Sequence, residues 1–161
     1  MSGAGSYREG LEGGLDGSGL QIAIVVARFH GDLTERMLDS AVATLLRHGV
    51  DEEDIEIVRV PGAWELPQAA AQIAETDTVD AIVALGCVIR GDTPHFDFVA
   101  GESARGLMEV ALGSGTPVIL GLLTTETEAQ AEERADPGRQ DKGGEAALAA
   151  LEMGTLFRKA V

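Results

Sequence analysis

The chain has 161 residues, of which 45% are hydrophobic, which suffices for one buried core and is short for two independent domains. Its formal net charge of −15, with only 12 lysines and arginines, disfavours binding to nucleic acid or to an anionic membrane surface. Cys87, the single cysteine, cannot form a disulfide within the chain, and no segment has the pattern of a secretion signal or a membrane span. We therefore expect small-molecule chemistry in the cytoplasm.

Residues 1–19 differ in composition from the rest of the chain. They contain seven glycines and few large apolar side chains, so ordering this segment alone would cost much backbone entropy. We expect a glycine-rich tail that needs a neighbour to become ordered. Residues 20–161 are predicted to form a single domain.

The first predicted elements of this domain are a strand and a helix. Residues 20–27 form a nearly continuous apolar run with β-branched side chains in its middle, as expected of a strand buried on both faces. Asp32 or Thr34 is expected to cap the helix that follows, and Gly49 is expected to end it. The apolar face of this helix comprises Leu38, Ala41, Val42, Leu45 and Leu46.

Strands and helices alternate along the rest of the chain. Residues 55–60 have the pattern of a strand, and a helix over about 65–74 tolerates Pro67 in its first turn. The remaining predicted elements are a buried strand over 81–89, a loop over 90–94, a helix over 96–112, a strand over 117–123, and helices over 127–134 and 145–157. Strands separated by helices imply parallel pairing, so we expect a three-layer α/β/α sandwich on a four-stranded parallel sheet.

The carboxyl ends of parallel strands are where ligands collect in such sheets. The most informative segment there is the loop over 90–94, in which Gly91 permits close backbone approach and Thr93 offers a hydroxyl. Free amides at the start of the next helix are suited to an anion, so the loop is interpreted as a phosphate cradle, with simple helix capping as the alternative. The other segments at strand ends are residues 28–30, 61–65 and 124–125.

Four segments, in the same order along the chain, resemble the signatures of the lumazine synthase family. They are IVVARF at 24–29, VPGAWELP at 60–67, ALGCVIRGDTPHFDFV at 84–99 and DKGGEAALAALEM at 141–153. The resemblance implies a flavodoxin-like winding. It also implies a transferase that condenses 5-amino-6-(D-ribitylamino)uracil with 3,4-dihydroxy-2-butanone 4-phosphate to 6,7-dimethyl-8-ribityllumazine, in riboflavin biosynthesis.

Several site residues follow from the resemblance. Phe29 is expected to stack on the pyrimidine and Glu65 to bind ribityl hydroxyls, with core packing as the alternative for Phe29. His95 is expected to be the general acid and base, with Asp97 as a neighbour that orients it. A histidine at a helix start without a catalytic role is the alternative. Further pyrimidine or ribityl contacts are expected at Ala63, Trp64 (interpreted mainly as packing), Cys87, Val88, Ile89 and Leu120.

The phosphate is expected to be bound by the amides of Gly91, Asp92 and Thr93 together with Arg134, whose planar guanidinium suits an oxyanion. A solvated helix end is the alternative for Arg134. Lys142 and Glu145 match the family's charged lining residues less closely, and a surface ion pair explains them nearly as well. The resemblance implies that Arg134, Lys142 and Leu120 reach the site from an adjacent subunit.

The resemblance also implies partners. A homopentamer is expected, with a sixty-subunit icosahedral shell as a further possibility and riboflavin synthase as a candidate partner; the N-terminal segment is expected to pair with the sheet edge of a neighbouring subunit. No metal or cofactor is expected. A carrier of lumazine or flavin on the same scaffold, and a mainly structural shell protein, are the alternative functions.

Some positions depart from the family's usual residues. His30 and Asp141 stand where Asn is common, Leu120 where an aromatic residue is frequent, and Cys87 where a small residue is usual. We expect these changes to affect ring affinity and wall packing more than the type of reaction. Cys87, between apolar neighbours, is expected to be buried and not to act as a nucleophile.

Overall fold

The computed structural model describes residues 8–160, with side chains described through Arg158. Predictions for residues 1–7, the start of the tail, lie outside the described residues. The described chain forms strands β1 (Ile22–Ala27), β2 (Ile55–Val60), β3 (Ala81–Ile89) and β4 (Val118–Thr125), and helices α1 (Gly31–Arg47), α2 (Leu66–Glu75), α3 (His95–Ser114), α4 (Glu128–Ala135) and α5 (Lys142–Ala160). Short 3₁₀ turns span Glu52–Asp54 and Ala63–Glu65.

The four strands form one parallel sheet in the order β2-β1-β3-β4. Ile22 of β1 is opposite Ile55 of β2 on one side and Ala81 of β3 on the other. Every residue of β1 and the first seven residues of β3 are buried, because these strands are central and covered on both faces. The predicted α/β architecture with flavodoxin-like winding is therefore confirmed.

Helices cover both faces of the sheet and enclose two cores. Alternate residues of β1 point to opposite faces, so Ile22 and Ile24 belong to one core, whereas Ala23 and Val25 belong to the other. The first core lies under α1, α4 and α5, and the second lies under α2 and α3. This arrangement is the predicted three-layer sandwich.

The start and the apolar face of α1 differ from the prediction. The helix begins at Gly31, after His30 in the left-handed conformation (φ 58°, ψ 44°), and no side chain caps it. The carbonyl of His30 accepts hydrogen bonds from the amides of Leu33 and Thr34. The predictions that Asp32 or Thr34 caps α1 were therefore wrong. The buried face is also rotated, since Leu46 is 42% exposed whereas the residues facing the core are Leu33, Thr34, Met37, Leu38, Ala41, Thr44 and Leu45.

Backbone hydrogen bonds continue past the strands and hold the ends of the sheet together. The amides of Arg28 and Phe29, after β1, donate to the carbonyls of Val60 and Pro61, at 2.9 and 3.0 Å. The amide of Arg90, after β3, donates to the carbonyl of Thr125 at 2.9 Å. At the carboxyl edge of the sheet, the segment after β1 is thus fixed beside the one after β2, and the segment after β3 is fixed beside the end of β4.

The described part of the glycine-rich tail packs on its own chain. The amide of Gly14 donates to Oγ1 of Thr155 in α5 (2.8 Å), and the same hydroxyl lies 3.0 Å from the Gly14 carbonyl. The amide of Gly17 donates to the carbonyl of His48, at the end of α1 (2.7 Å). Pairing of the tail with a neighbouring subunit remains a prediction.

Within the described residues, no helix is both long enough and apolar enough to cross a bilayer.

Candidate active site

A cavity of about 520 Å³ lies at the carboxyl edge of the sheet. Its walls come from the segments after β1 and β2 and from the first turn of α3. A cavity of this size is in the range that binds small molecules. We call it the aromatic cavity; its lining residues are Phe29, Gly62, Ala63, Trp64, Glu65, His95, Phe98 and Val99.

Three aromatic side chains of this cavity are open to solvent. The exposed fractions are 68% for Phe29, 59% for Trp64 and 66% for Phe98. Among the described residues, neither Phe29 nor Trp64 is therefore packed in a core, and both rings offer faces to a ligand or to another protein surface.

The backbone of Gly62 supports the ring of Phe29. A Cβ atom added at Gly62 would lie 2.5 Å from Cδ2 of Phe29, closer than any ordinary contact. The φ of Gly62 is −153°, which is extended backbone, so close approach and not unusual conformation is what requires glycine here. Gly62 thus sets the position of the Phe29 ring.

Glu65 and His95 are the ionisable groups of the aromatic cavity. Glu65 is half-buried, and neither its carboxylate nor the His95 imidazole has a hydrogen-bond partner among the described residues. Unpartnered polar groups in a mostly apolar cavity are available to a ligand. The carboxylate can accept hydrogen bonds from hydroxyl groups, and the imidazole has one ring nitrogen that can donate a hydrogen bond and one that can accept.

Asp97 does not orient His95 as predicted. Its Oδ1 accepts a hydrogen bond from Nη2 of Arg90 at 3.1 Å, and no contact joins it to the imidazole among the described residues. The reason is geometric: Asp97 lies two residues beyond His95 on α3, and side chains two apart do not share a helix face.

The predicted phosphate cradle lies directly before α3. Gly91, Asp92 and Thr93 are exposed, and the amide of His95 makes a long 3.4 Å contact with Oγ1 of Thr93. A Cβ atom at Gly91 would meet nothing within 4 Å, so the space around this backbone is open. The three residues adjoin the aromatic cavity through His95 but do not line it.

A second cavity, of about 330 Å³, brings together the other predicted residues. Leu120 of β4, Arg134 of α4, and Lys142 and Glu145 of α5 line it together with further residues of β4 and α5. Nη1 of Arg134 donates to the carbonyl of Gln130 at 3.0 Å, and no carboxylate pairs with Arg134 among the described residues. We call this cavity the cationic groove.

Lys142 and Glu145 form an ion pair within the cationic groove. Nζ of Lys142 lies 3.0 Å from Oε2 of Glu145, and both side chains are accessible to solvent. The surface ion pair considered as an alternative is therefore present. It is compatible with a binding role, because exposed pairs of this kind are weak and rearrange readily when a ligand arrives.

The predicted site residues thus fall into two groups that one chain does not unite. The aromatic cavity and the cationic groove share no lining residue. Cys87, Val88 and Ile89 line neither of them, since Cys87 is buried and the other two pack half-buried against the two cores. Their predicted contacts with the pyrimidine stay predictions.

Cys87 has the character expected of a buried, unreactive thiol. It is 4% exposed, and burial, with the negative charges of Asp32 and Glu128 as smaller causes, raises its pKa from 9.0 to about 11. The thiolate is the nucleophilic form, and this environment disfavours it. No group of three or more His, Cys, Asp or Glu side chains is arranged to bind a metal within the described part of the chain.

Sequence reasoning missed Phe98 and Val99 as lining residues. Both are in the first turn of α3, and Phe98 lies three residues after His95, on the same helix face. Helical spacing from the histidine was the signal that indicated Phe98.

A four-stranded parallel sheet in the order β2-β1-β3-β4, with helices on both faces and a cavity at the carboxyl ends of the strands, defines a flavodoxin-like α/β protein. Residues 19–158 match the family model described as 6,7-dimethyl-8-ribityllumazine synthase. Because the match covers nearly the whole chain, the chain belongs to this family. Membership indicates a transferase-type enzyme of riboflavin biosynthesis.

Proposed function

We propose that this protein condenses 5-amino-6-(D-ribitylamino)uracil with 3,4-dihydroxy-2-butanone 4-phosphate to give 6,7-dimethyl-8-ribityllumazine, phosphate and water. The observation that carries the proposal is the aromatic cavity, in which exposed rings surround a carboxylate and an imidazole that have no partner among the described residues. A flat heterocycle with a polyhydroxyl chain is the ligand that such walls fit.

The aromatic cavity is proposed to bind the pyrimidine. Phe29, held in place by Gly62, offers a face for ring stacking, and Trp64 and Phe98 enclose the same space. Glu65 is placed to accept hydrogen bonds from ribityl hydroxyls, which are donors that a carboxylate can satisfy. His95, at the start of α3, is the group closest to the phosphate cradle.

The phosphorylated ketone needs a cation that the aromatic cavity lacks. The described residues that line this cavity include no lysine or arginine, whereas the cationic groove contains both. We therefore infer that Arg134 and Lys142 of a neighbouring copy complete the site, with Leu120 as an apolar wall. Phe98 and Leu120, 66% and 56% exposed, are apolar surface that such a contact would bury.

A shared site requires an oligomer. We propose a homopentamer, the assembly that the family resemblance implies, with an icosahedral shell and a complex with riboflavin synthase as further assemblies. A ring in which each copy contacts the next by unlike surfaces repeats the same composite site at every interface.

The proposed reaction joins two substrates that the site holds in a fixed orientation, and each of its steps includes a proton transfer. The primary amine of the pyrimidine attacks the ketone carbon, and loss of water forms an imine; elimination then releases phosphate. Attack by the ribitylamino nitrogen closes the ring with loss of a second water. His95 is the proposed proton carrier in these steps, and orientation of the two reactants supplies much of the rate, since effective molarities reach about 10⁵ M in favourable cases.

Lumazine fluorescence with both substrates present tests the reaction directly. We expect the wild-type protein to form product with one phosphate released per lumazine, and His95→Ala to slow turnover by about 10²- to 10⁴-fold while the protein stays folded. A protein that shifts the emission of added lumazine without forming any would be a carrier. A His95→Ala variant with wild-type turnover would remove His95 from catalysis.

The phosphate role of Arg134 is tested by steady-state kinetics. Arg134→Ala is expected to raise the KM for the phosphorylated ketone by about tenfold or more, and to change the KM for the pyrimidine less than twofold. Arg139→Ala is the matched control, because Arg139 is exposed, pairs with Glu133 at 3.4 Å and does not line the groove. Equal effects on both KM values would exclude a specific phosphate role.

A further inference from the structure

Arg90 connects the two ends of the phosphate cradle. It is the residue between β3 and the loop, and its side chain reaches forward to the first turn of α3. Nη2 donates to Oδ1 of Asp97 at 3.1 Å, and Cζ lies 4.4 Å from the centroid of the Phe96 ring. One guanidinium therefore joins the residue before the loop to two residues after it, by a hydrogen bond and a cation–π contact.

The same side chain also attaches the cradle to β4. Nε of Arg90 donates to Oε2 of Glu126 at 2.7 Å, and the backbone amide of Arg90 donates to the carbonyl of Thr125 at 2.9 Å. Glu126 directly follows β4, so its carboxylate comes from the neighbouring strand of the sheet. The cradle is thus anchored at both ends to one group that is itself attached to the sheet edge.

The guanidinium of Arg90 is committed to these partners. Two carboxylates surround one positive charge, and the hydrogen bonds that Arg90 donates to Asp97 and Glu126 raise the pKa of Arg90 further above its ordinary value. Two of its three nitrogens already donate to carboxylates. An arginine in this state is poorly suited to serve as the phosphate ligand itself, although it lies in the cradle sequence.

The loop between these anchors has little other support. Residues 91–95 are exposed in succession, and the 3.4 Å contact between the His95 amide and Oγ1 of Thr93 is the one side-chain hydrogen bond that the described structure shows for them. An exposed loop with so few contacts samples many conformations unless its ends are fixed. The contacts of Arg90 fix those ends.

We propose that Arg90 is a positioning residue, which holds the amides of the cradle at a set distance from His95 through its joint contacts with Phe96, Asp97 and Glu126. This inference rests on the proposed function, because it assigns Arg90 a part in binding the phosphorylated ketone. Arg90 does not touch the substrate. It keeps the cradle and the His95 imidazole, the two groups that contact the substrate, at a fixed distance from each other.

Kinetics of Arg90→Met and Arg90→Lys test the proposal. Met keeps an unbranched chain but loses the charge and the donors, and we expect it to raise the KM for the phosphorylated ketone by about tenfold, to lower kcat, and to leave the KM for the pyrimidine within twofold. Arg90→Lys retains the positive charge but lacks the paired donors of a planar guanidinium, so it should recover part of the kinetic loss seen in Arg90→Met. Equal rises in both KM values, or wild-type kinetics in Arg90→Met, would overturn the proposal.

Arg158→Met is the matched control. Arg158 also donates to a carboxylate, Asp80, and to a backbone carbonyl, that of Gly19, but it lies at the opposite edge of the sheet. We expect Arg158→Met to lose a similar set of local contacts, while the KM values for the phosphorylated ketone and for the pyrimidine stay unchanged. A control variant that raised the KM for the phosphorylated ketone as much as Arg90→Met does would show a general effect of stability and contradict the proposal.

Amide hydrogen exchange separates this proposal from the assignment of the reaction. Arg90→Met is expected to speed exchange by about tenfold at the hydrogen-bonded amides that begin α3, starting with Asp97, whose amide donates to the Pro94 carbonyl at 3.0 Å. Glu126→Gln, which removes the negative charge of one anchor, should speed exchange at the same amides to a smaller extent. Exchange does not require activity. Should the wild type make no lumazine, the proposed reaction fails while the exchange result still decides whether Arg90 holds the cradle; unchanged exchange in both variants would show that it does not.

Discussion

At the scale of single residues, the close approach of the Phe29 ring to the backbone of Gly62 shapes the aromatic cavity. Phe29 follows a fully buried strand yet is 68% exposed, because its ring lies against the backbone of Gly62 and not in either core. The contact leaves no room for a Cβ atom. A residue with no side chain therefore determines where the stacking surface lies.

Gly62→Ala tests this support. The added methyl group should displace the Phe29 ring and raise the KM for the pyrimidine by about five- to tenfold, with the KM for the phosphorylated ketone within twofold. Gly113→Ala, on α3 with nothing within 4 Å of the added Cβ, is the control and should leave both unchanged. Unaltered pyrimidine KM in Gly62→Ala would mean that the ring position is immaterial to binding.

Cys87 gives the stability of the fold a pH dependence in the alkaline range. Burial raises its pKa from 9.0 to about 11, so between these values the unfolded thiol loses its proton while the folded one keeps it. Its contribution is complete below pH 9 and is lost as the pH rises through 11. The free energy of unfolding should fall by roughly 2 kcal/mol more in the wild type than in Cys87→Ala over this range.

Urea unfolding at pH 8, 9, 10 and 11 measures this difference. The comparison uses the slope with pH, because the alanine variant also loses packing at every pH. Parallel stability curves for the two proteins would contradict the assignment of a buried, protonated thiol. Cys87 should also resist alkylation at pH 8 in the folded protein.

At the scale of elements, α4 determines where Arg134 lies. This helix has only eight residues, and its start is fixed by a capping box: Oγ1 of Thr127 accepts from the Gln130 amide at 3.2 Å, and Oε1 of Gln130 accepts from the Thr127 amide at 3.2 Å. Arg134 lies one turn after Gln130 and donates to its carbonyl. The cap therefore supports the residue proposed to bind phosphate.

Thr127→Ala should loosen α4. Loss of the cap is expected to cost about 1 kcal/mol of stability in urea unfolding and to raise the KM for the phosphorylated ketone more than that for the pyrimidine. Thr127→Ser keeps the hydroxyl and should stay within a few tenths of a kcal/mol of the wild type. If the alanine variant were as stable as the serine variant, the cap would have no structural role.

Strands were easier to predict than helix starts. The predicted strands over 55–60 and 81–89 coincide with β2 and β3. The sequence of β3 is a mostly buried apolar run and that of β2 alternates apolar and polar residues, and both patterns indicate a strand between turn residues. The start of α1 was missed because His30 adopts a positive φ and its backbone carbonyl does what a capping side chain would do. Histidine is among the non-glycine residues that adopt positive φ more often than most, but this tendency is too weak to locate a helix start.

At the scale of the whole molecule, the two cavities show why sequence could identify site residues without arranging them. Segments after the strands could be assigned to one edge of the sheet, and Phe29, Glu65 and His95 do meet there. Phe98 could have been found from its helical spacing to His95, whereas the contacts of Arg90 depend on side-chain reach, which spacing alone does not give. The relation between the aromatic cavity and the cationic groove depends on how copies of the chain pack.

Mixed oligomers of two impaired variants test the shared site most directly. Chains carrying His95→Ala and chains carrying Arg134→Ala, each with a different affinity tag, are produced together, purified through both tags and assayed at a low concentration of the phosphorylated ketone. Where one copy supplies the aromatic cavity and the next supplies Arg134, random pairing leaves about one quarter of the sites intact. We expect recovery towards that fraction of wild-type activity; mixed oligomers no more active than the two variants measured separately would contradict a site shared between copies.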